Sequence, residues 1–255
     1  MINILQLTDP HFFENPDGEL YGVNTRASLL AVLHQVARDN IPYDIVLVTG
    51  DLVHDETEAG YKALANALAG LSVPIYYLPG NHDASDLLEK VLPHSTQDGF
   101  YSVIHDKWCV ILLDSSLKGK VEGYIPESVL QRLDRELASQ SSRHALIALH
   151  HHAVDVESAW LDRLNLTNNE AFRNILAAHT NVKVVINGHI HQELQVRQHS
   201  VLYLGAPSTC FQFKPRTSKP GIDDGPPGFR HIVLGDDGSV ATTVHYVRPE
   251  GLSDP

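Results

Sequence analysis

Five short segments rich in Asp, His and Asn each follow an apolar run, and this arrangement constrains the fold of the 255-residue chain more than any other feature. The apolar runs have the length and composition of buried strands; they are Ile2–Leu7, Ile45–Thr49, Ile75–Leu78, Ala145–Leu149 and Val182–Ile186. The polar segments after them are Asp9–His11, Gly50–Asp51, Gly80–Asp83, His150–His152 and Gly188–His191. Ligands of an open α/β sheet bind beyond the carboxyl ends of its strands. We therefore expect a metal site, and an active site, at one edge of the sheet.

Stretches with helical periodicity alternate with these strands. The predicted helices are Thr25–Ala37, Thr57–Leu71, Pro126–Leu137 and Asn169–Ala178. From about residue 193 the pattern changes to short strands, which are Glu193–Gln198, Val201–Leu204, Arg230–Leu234 and Val240–Tyr246. A βα-rich first portion followed by a β-rich end indicates an α/β fold (α+β in some schemes), with two packed sheets and outer helices. Because no linker or internal repeat interrupts the pattern, we expect residues 1–255 to form a single domain.

Composition and charge exclude several classes of protein. The chain has 19 basic and 31 acidic residues and a net charge of −12 without a cluster of Lys and Arg, which argues against binding a nucleic-acid polymer. No apolar stretch approaches the roughly 20 residues of a membrane span. The chain starts directly with a strand and has no basic leader, so we expect no signal peptide and a cytoplasmic protein. Its two cysteines, Cys109 and Cys210, do not make a disulfide framework.

The first and last polar segments have the same spacing of candidate ligands. If the backbone stays extended after the strand, Asp9 and His11 point to the same side, and His189 and His191 do so as well. Asp51 follows Gly50, where a glycine lets the backbone turn tightly next to a cation. The alternatives are a capping Asp plus a surface His for the first pair, and a turn on the surface for the last pair. For Asp51 the alternative is helix capping or a turn.

The other two segments offer different chemistry. Asn81 is an uncommon metal ligand, and next to it His82 is a candidate proton donor. Asp83 is either the carboxylate that orients His82 or a turn residue. In the run that begins at His150, one imidazole is expected to reach the metal; His150 is our choice and His151 is its main competitor. The remaining histidines, for example His34, His94, His144 and His245, have the pattern of ordinary surface or core residues.

The candidate ligands comprise two Asp, one Asn and several His, without a thiolate. This set argues against a closed structural zinc site and suits Fe or Mn, with Zn or Co as further options. Seven ligands are too many for one ion and suit two divalent cations that share a bridging carboxylate. Two such cations and two carboxylates leave a charge of about +2, which lets an acidic protein hold a phosphate.

Two irregular segments stand apart from the strands and helices. Residues 12–22 follow the first polar segment, and residues 207–228 contain five prolines. Long loops without regular structure are often functional. These two segments either cover the site or form a surface connection, and the sequence does not decide between the two.

The five polar segments, in this order, resemble those of the calcineurin-like metallophosphoesterase superfamily. The resemblance implies a four-layer αββα sandwich with two mixed sheets, flanking helices and a dimetal site. Further segments are similar to those of bacterial class III 3′,5′-cyclic-AMP phosphodiesterases (the CpdA type); they are Leu20–Thr25, Leu78–Asp83, Ser158–Asp162, Gly188–Leu194 and Pro207–Pro215. One departure from many relatives is Ala153, where they have proline after the histidine run. Relatives also suggest a homodimer.

The resemblance assigns roles residue by residue. It implies that Asp9, His11 and His191 bind one metal. It implies that Asn81, His150 and His189 bind the other, and that Asp51 bridges the two. It places His82 beside the phosphate, off the metals. The residues expected against the substrate are His11, Asp51, Asn81, His82, His150 and His191.

Together these observations predict an enzyme that hydrolyses 3′,5′-cyclic AMP to 5′-AMP. A hydroxide held between the metals would attack phosphorus in line with the departing O3′. His82 would protonate that oxygen, with Asp83 as its partner. The nearest alternative is a broader phosphodiesterase or phosphomonoesterase of the same fold. A binding scaffold without catalysis is a remote alternative, because it could lose ligands that are all present here.

Overall fold

Two mixed β-sheets lie face to face in the computed structural model, which describes residues 1–247. The strands of the first half are β1 (Ile2–Leu7), β2 (Glu19–Leu20), β3 (Val23–Asn24), β4 (Ile45–Thr49), β5 (Ile75–Leu78), β6 (Phe100–His105), β7 (Trp108–Leu113) and β8 (His144–Leu149). Those of the second half are β9 (Val182–Asn187), β10 (Leu194–Gln198), β11 (Val201–Gly205), β12 (Gln212–Phe213), β13 (Ile222–Asp223), β14 (Gly228–Leu234) and β15 (Val240–Tyr246). The helices are α1 (Thr25–Arg38), α2 (Glu58–Leu68), α3 (Ser85–Val91), α4 (Glu127–Ser139) and α5 (Asn169–Ala178).

The strand order brings the predicted ligand segments to one edge. The five-stranded sheet has the order β15-β14-β1-β4-β5, and the six-stranded sheet has the order β10-β11-β9-β8-β7-β6. Strands β1, β4 and β5 are parallel, as are β8 and β9. The carboxyl ends of parallel strands share an edge, so the five segments leave the two sheets side by side.

Alternation of side chains along each strand builds the layers. In β1, Ile4 packs in the core between the two sheets, whereas its neighbour Leu5 packs against the helices on the outer face. That outer core includes Leu29 of α1 and Leu64 of α2. On the far side of the six-stranded sheet, helices α4 and α5 cover a third core. The predicted four-layer αββα sandwich is confirmed.

Element boundaries differ from the predictions where local capping decides them. Helix α2 ends at Leu68, three residues before the predicted Leu71, and it begins after Thr57, whose side chain accepts a hydrogen bond from the Gly60 amide and so acts as the expected N-cap. Helix α3 and strand β6 were not predicted. Helix α3 has only seven residues, of which Leu88 alone is buried, and β6 is mostly half-buried, so neither has a clear periodicity.

A buried arginine joins the two sheets. Arg230 in β14 is 1% exposed and donates hydrogen bonds to the carbonyl oxygens of Gly205 at 2.8 Å and Leu194 at 3.1 Å, which belong to the other sheet. Its third donor reaches the Thr242 hydroxyl at 2.9 Å. Burial lowers the pKa of Arg230 to about 10. A buried cation with these partners fixes the spacing of the sheets at this end.

None of the helices within residues 1–247 is both long enough and apolar enough to cross a bilayer.

Candidate metal centre

Hydrogen bonds join the loops that follow the five strands. The amide of Asp9 donates to the Gly50 carbonyl at 3.1 Å, which ties the loop after β1 to the loop after β4. The His189 amide donates to the Asp9 carboxylate at 3.1 Å. The His82 amide donates to Oδ1 of Asp51 at 2.9 Å. The first and third contacts join loops of the five-stranded sheet, and the contact between His189 and Asp9 crosses to the six-stranded sheet, so the loops are connected along one edge.

The predicted ligands do not lie on extended backbone. Asp9, His11, Asp51, His189 and His191 all have positive φ angles, of 51°, 45°, 49°, 68° and 47°. The same-side argument for the pairs Asp9/His11 and His189/His191 is therefore wrong in its premise, an extended backbone, although their side chains still converge. Left-handed backbone at a non-glycine residue costs about 1–3 kcal/mol and persists where surrounding contacts enforce it, typically at functional sites.

Asp9, His11 and His191 form the first cluster. Nε2 of His191 lies 3.3 Å from Oδ1 of Asp9 and 3.4 Å from Nε2 of His11. Nδ1 of His191 lies 2.7 Å from the Phe211 carbonyl oxygen, which can only accept, so Nδ1 carries the hydrogen. The lone pair of Nε2 therefore faces the cluster, as in most metal-bound histidines.

The second cluster contains Asp51, His150, His189 and Asn81. Nε2 of His150 lies 3.4 Å from Oδ2 of Asp51, and Nδ1 of His150 donates to the Thr49 carbonyl at 3.0 Å. The ring centroids of His150 and His189 are 5.1 Å apart. Within the described part of the chain, three buried atoms of this cluster have no hydrogen-bond partner: Nε2 of His150, Nε2 of His189 and Oδ1 of Asn81. Unpaired buried polar atoms are costly, so their convergence fits a metal ion.

Asp51 lies between the clusters. Its Oδ2 atom is 3.8 Å from Nε2 of His11 and 3.4 Å from Nε2 of His150, so it faces one histidine of each. This is the geometry expected of a bridging carboxylate. The assignment of individual ligands to individual ions stays a prediction.

Electrostatic interactions among the side chains of the two clusters set the directions of their pKa shifts. Burial alone would raise the pKa of Asp9 and of Asp51, but neighbouring histidines outweigh it and hold both pKa values below the ordinary one. Burial would lower the pKa of His150, yet Asp51 and Asp9 raise it to about 9. His11 is neutral, because burial lowers its pKa to about 3. A proton on His150 thus neutralises part of the carboxylate charge that metal ions would otherwise balance.

The three consecutive histidines occupy different environments. Nε2 of His151 donates to the Val121 carbonyl at 3.0 Å, and Nδ1 lies 2.8 Å from the Ser115 hydroxyl, so both of its nitrogens have protein partners. The His152 ring stacks on His189 at 5.8 Å. Only His150 of the three has a ring nitrogen within 3.4 Å of Asp51, which supports our choice of His150 over His151.

Asp83 does not contact the His82 side chain through any described hydrogen bond. Its carboxylate accepts from the amides of Leu52 at 2.9 Å, Val53 at 3.1 Å and Gly80 at 2.8 Å, and from the Tyr61 hydroxyl at 3.0 Å. Asp83 therefore ties the loop after β4 to the loop after β5. This geometry favours the turn residue over the orienting partner of His82, because the carboxylate is directed at backbone amides.

A histidine outside the predicted set borders the site. The His54 ring lies 4.8 Å from the His82 ring, and its Nδ1 is 3.4 Å from Nδ1 of His11. This is where a residue that orients a ligand histidine would lie. Sequence reasoning grouped His54 with the ordinary histidines. The only signal was its spacing of three residues from Asp51, which has no distinct chemical meaning without the fold.

A cavity of about 200 Å³ opens beside the two clusters. Its polar side includes His11, Asp51, His54, Asn81, His82, His189 and His191. Its apolar side includes Leu20, Tyr21, Val121, Trp160, Leu161, Leu164, Phe211 and Phe213. The two irregular segments supply Leu20 and Tyr21 from one and Phe211 and Phe213 from the other, so both border the cavity.

Sequence comparisons identify relatives over nearly the whole chain. Residues 2–193 match the calcineurin-like phosphoesterase family. The chain is 36% identical to a 3′,5′-cyclic adenosine monophosphate phosphodiesterase CpdA from Haemophilus influenzae, over 97% of this chain and 91% of the relative. It is 38% identical to the protein of the same name from Escherichia coli K12, over 96% of this chain and 89% of the relative. It is also 38% identical to a 3′,5′-cyclic-nucleotide phosphodiesterase from Nostoc, over 96% of this chain and 92% of the relative.

Solved structures with low sequence identity share the fold. A dimetal phosphatase from Danio rerio superposes with a TM-score of 0.69 at 16% identity, over 97% of this chain and 99% of that one. A purple acid phosphatase from yellow lupin gives a TM-score of 0.70 at 12% identity, over 96% of this chain and 51% of that one. At such identities the likeness concerns the fold alone. Together with the full-length relatives and the match over residues 2–193, it leads to one conclusion: the chain belongs to the calcineurin-like phosphoesterase family.

Proposed function

We propose that this protein hydrolyses 3′,5′-cyclic AMP to 5′-AMP with two divalent cations. The observation that carries the proposal is the buried group of unpaired ligand atoms on His150, His189 and Asn81, next to the carboxylates of Asp9 and Asp51. Relatives named as cyclic-nucleotide phosphodiesterases, at 36–38% identity over nearly the whole chain, supply the substrate class.

The donor set fits the metals that the family implies. Asp9, His11 and His191 would hold one ion, and their ligand atoms lie within 4.8 Å of one another. Asn81, whose buried Oδ1 has no partner, would hold the other ion with His150 and His189. Asp51, which faces His11 and His150, would lie between the two ions. When bound, two such cations activate water and neutralise charge on the phosphoryl oxygens. Iron or manganese is the proposed pair, because carboxylate, amide and imidazole ligands occur together without a thiolate. Elemental analysis of the purified protein tests this choice.

His82 would serve the leaving group. Its amide is held by Asp51 at 2.9 Å, and its half-buried ring borders the cavity beside His11. A protonated imidazole there can give its proton to O3′ of the substrate as the P–O3′ bond breaks. General acid catalysis typically contributes about 10²–10⁴-fold.

The dependence on the leaving group tests this role. The O3′ alkoxide is strongly basic, whereas p-nitrophenolate leaves without a proton. His82→Ala should therefore reduce kcat for cyclic AMP far more than kcat for bis(p-nitrophenyl) phosphate, with metal content unchanged. Equal losses on the two substrates would exclude proton donation by His82.

The substrate itself is tested on wild-type protein. We expect kcat/KM for 3′,5′-cyclic AMP to exceed that for 2′,3′-cyclic AMP and for bis(p-nitrophenyl) phosphate. The reverse order would favour the broader phosphodiesterase. Asp51→Ala should lose metal and activity together, and retention of two metals with normal turnover would contradict its bridging role.

A further inference from the structure

The apolar side of the cavity is a continuous set of aromatic rings that starts at a predicted metal ligand. The His191 ring centroid is 4.6 Å from that of Phe211 and 4.5 Å from that of Phe213. Tyr21 lies edge-on to Phe211 at 4.8 Å, and Trp160 lies edge-on to Phe213 at 4.9 Å. These four aromatic residues, Tyr21, Trp160, Phe211 and Phe213, are called the aromatic surface below. It extends outward from the metal centre without a gap.

Tyr21 is the exposed ring of the aromatic surface, whereas Phe211 and Trp160 are buried beneath it, and the surface has few hydrogen-bonding groups. Nε1 of Trp160 already donates to the Thr217 hydroxyl at 3.3 Å. The other apolar residues on this side of the cavity are Leu20, Val121, Leu161 and Leu164. Among the residues described on this side, no side chain carries a carboxylate, a carboxamide or a basic group. Such a surface suits a flat, uncharged ring system and not a second phosphate.

We propose that the aromatic surface binds the base of the nucleotide while the phosphate lies at the metal centre, an inference that rests on the proposed function. Phosphate and base are joined through one ribose, so the base must lie within one sugar of the ligands. The rings next to His191 occupy that position. Because the base is held by stacking, adenine and guanine nucleotides should bind with similar affinity.

Tyr21 gives the cleanest test. It lies in the tight turn between β2 and β3, where Tyr21 has a φ of 51° and Gly22 a φ of 79°. Tyr21 is 69% exposed, so its removal leaves the core intact. Tyr124, which is 40% exposed and does not border the cavity, provides a matched control.

The experiment measures dissociation constants of 5′-AMP, 5′-GMP and ribose 5-phosphate for the metal-loaded protein by calorimetry. Stacking of a base on aromatic rings contributes on the order of tenfold or more in affinity, so AMP should bind about that much more tightly than ribose 5-phosphate. Tyr21→Ala should reduce this preference several-fold by weakening AMP alone. Tyr21→Phe and Tyr124→Ala should keep it. AMP and GMP should agree within a few-fold.

The outcomes separate this inference from the proposed function. Equal affinities of wild-type protein for AMP and ribose 5-phosphate would overturn the base site, as would an unchanged preference in Tyr21→Ala. A preference for AMP over GMP of a hundredfold or more would overturn binding by stacking alone. If wild-type protein prefers AMP but does not hydrolyse cyclic AMP, the base site stands and the proposed function fails.

Discussion

Replacement of Asp83 by alanine tests whether this carboxylate joins two loops or assists His82. The structure directs four donors at Asp83: three amides, of Leu52, Val53 and Gly80, and the Tyr61 hydroxyl. Hydrogen bonds to a charged group contribute about 1.5–3 kcal/mol each. The sum of these four contributions overstates the stability lost on substitution. Burial and the charge of Asp51 raise the pKa of Asp83 to about 7 and so disfavour its charged form. Water can also reach this half-buried position.

We expect Asp83→Ala to lower the free energy of unfolding by about 3–5 kcal/mol. For a chain of this size, that corresponds to a decrease in Tm of roughly 6–20 °C. Asp83→Asn keeps one acceptor oxygen and should cost less. Asp86 is exposed and three residues away, so Asp86→Ala is the control and should shift Tm only slightly.

The assay combines thermal unfolding, followed by circular dichroism, with kinetics on two substrates. If Asp83 joins the loops, Asp83→Ala should have a lower Tm than the wild-type protein. The same substitution should reduce kcat for cyclic AMP and kcat for bis(p-nitrophenyl) phosphate by the same factor. A variant with wild-type Tm and a selective loss for cyclic AMP would refute this reasoning. It would restore the expectation that Asp83 orients His82.

Three further predictions concern the sheet contact and the metal centre. Arg230→Met removes the hydrogen bonds that Arg230 donates to the Gly205 and Leu194 carbonyls. Urea unfolding should show a decrease of about 3–5 kcal/mol in the free energy of unfolding, and an unchanged midpoint would contradict the role of Arg230 between the sheets. His150→Ala should reduce the metal content, which elemental analysis measures, whereas His151→Ala should mainly reduce stability, which Tm measures. The opposite result would identify His151 as the ligand. Because Asp51 and Asp9 raise the pKa of His150 to about 9, its proton stabilises the fold fully below its ordinary value of about 6.5, and this contribution is lost as the pH rises through about 9. Metal uptake near pH 7 should then release at least one proton, from His150, in addition to any proton lost by metal-bound water; calorimetry in buffers of different ionisation enthalpy measures it, and uptake without proton release would contradict the assignment.

Much of this protein is readable from sequence because its signals are local. The strand β1 has the predicted bounds, and β4, β5 and helix α5 do as well, since each is a short apolar or amphipathic run with clear ends. The segments that follow these strands contain the candidate ligands in sequence. Parallel strands share an edge, so the convergence of Asp9 and Asp51 followed from the fold class before any distance was known.

The tertiary structure decided what depends on contacts between distant segments. The left-handed backbone at Asp9 and His11 is enforced by hydrogen bonds to the loop after β4, and no pattern within three residues encodes it. Contacts between distant segments also decide the role of Asp83, whose amide partners come mainly from another loop. They likewise decide the place of His54, which lies beside His82 because two strand ends meet. Local sequence determines which side chains are available for chemistry. Packing of the two sheets determines which of these side chains face each other, because that arrangement depends on contacts between segments that are far apart in the chain.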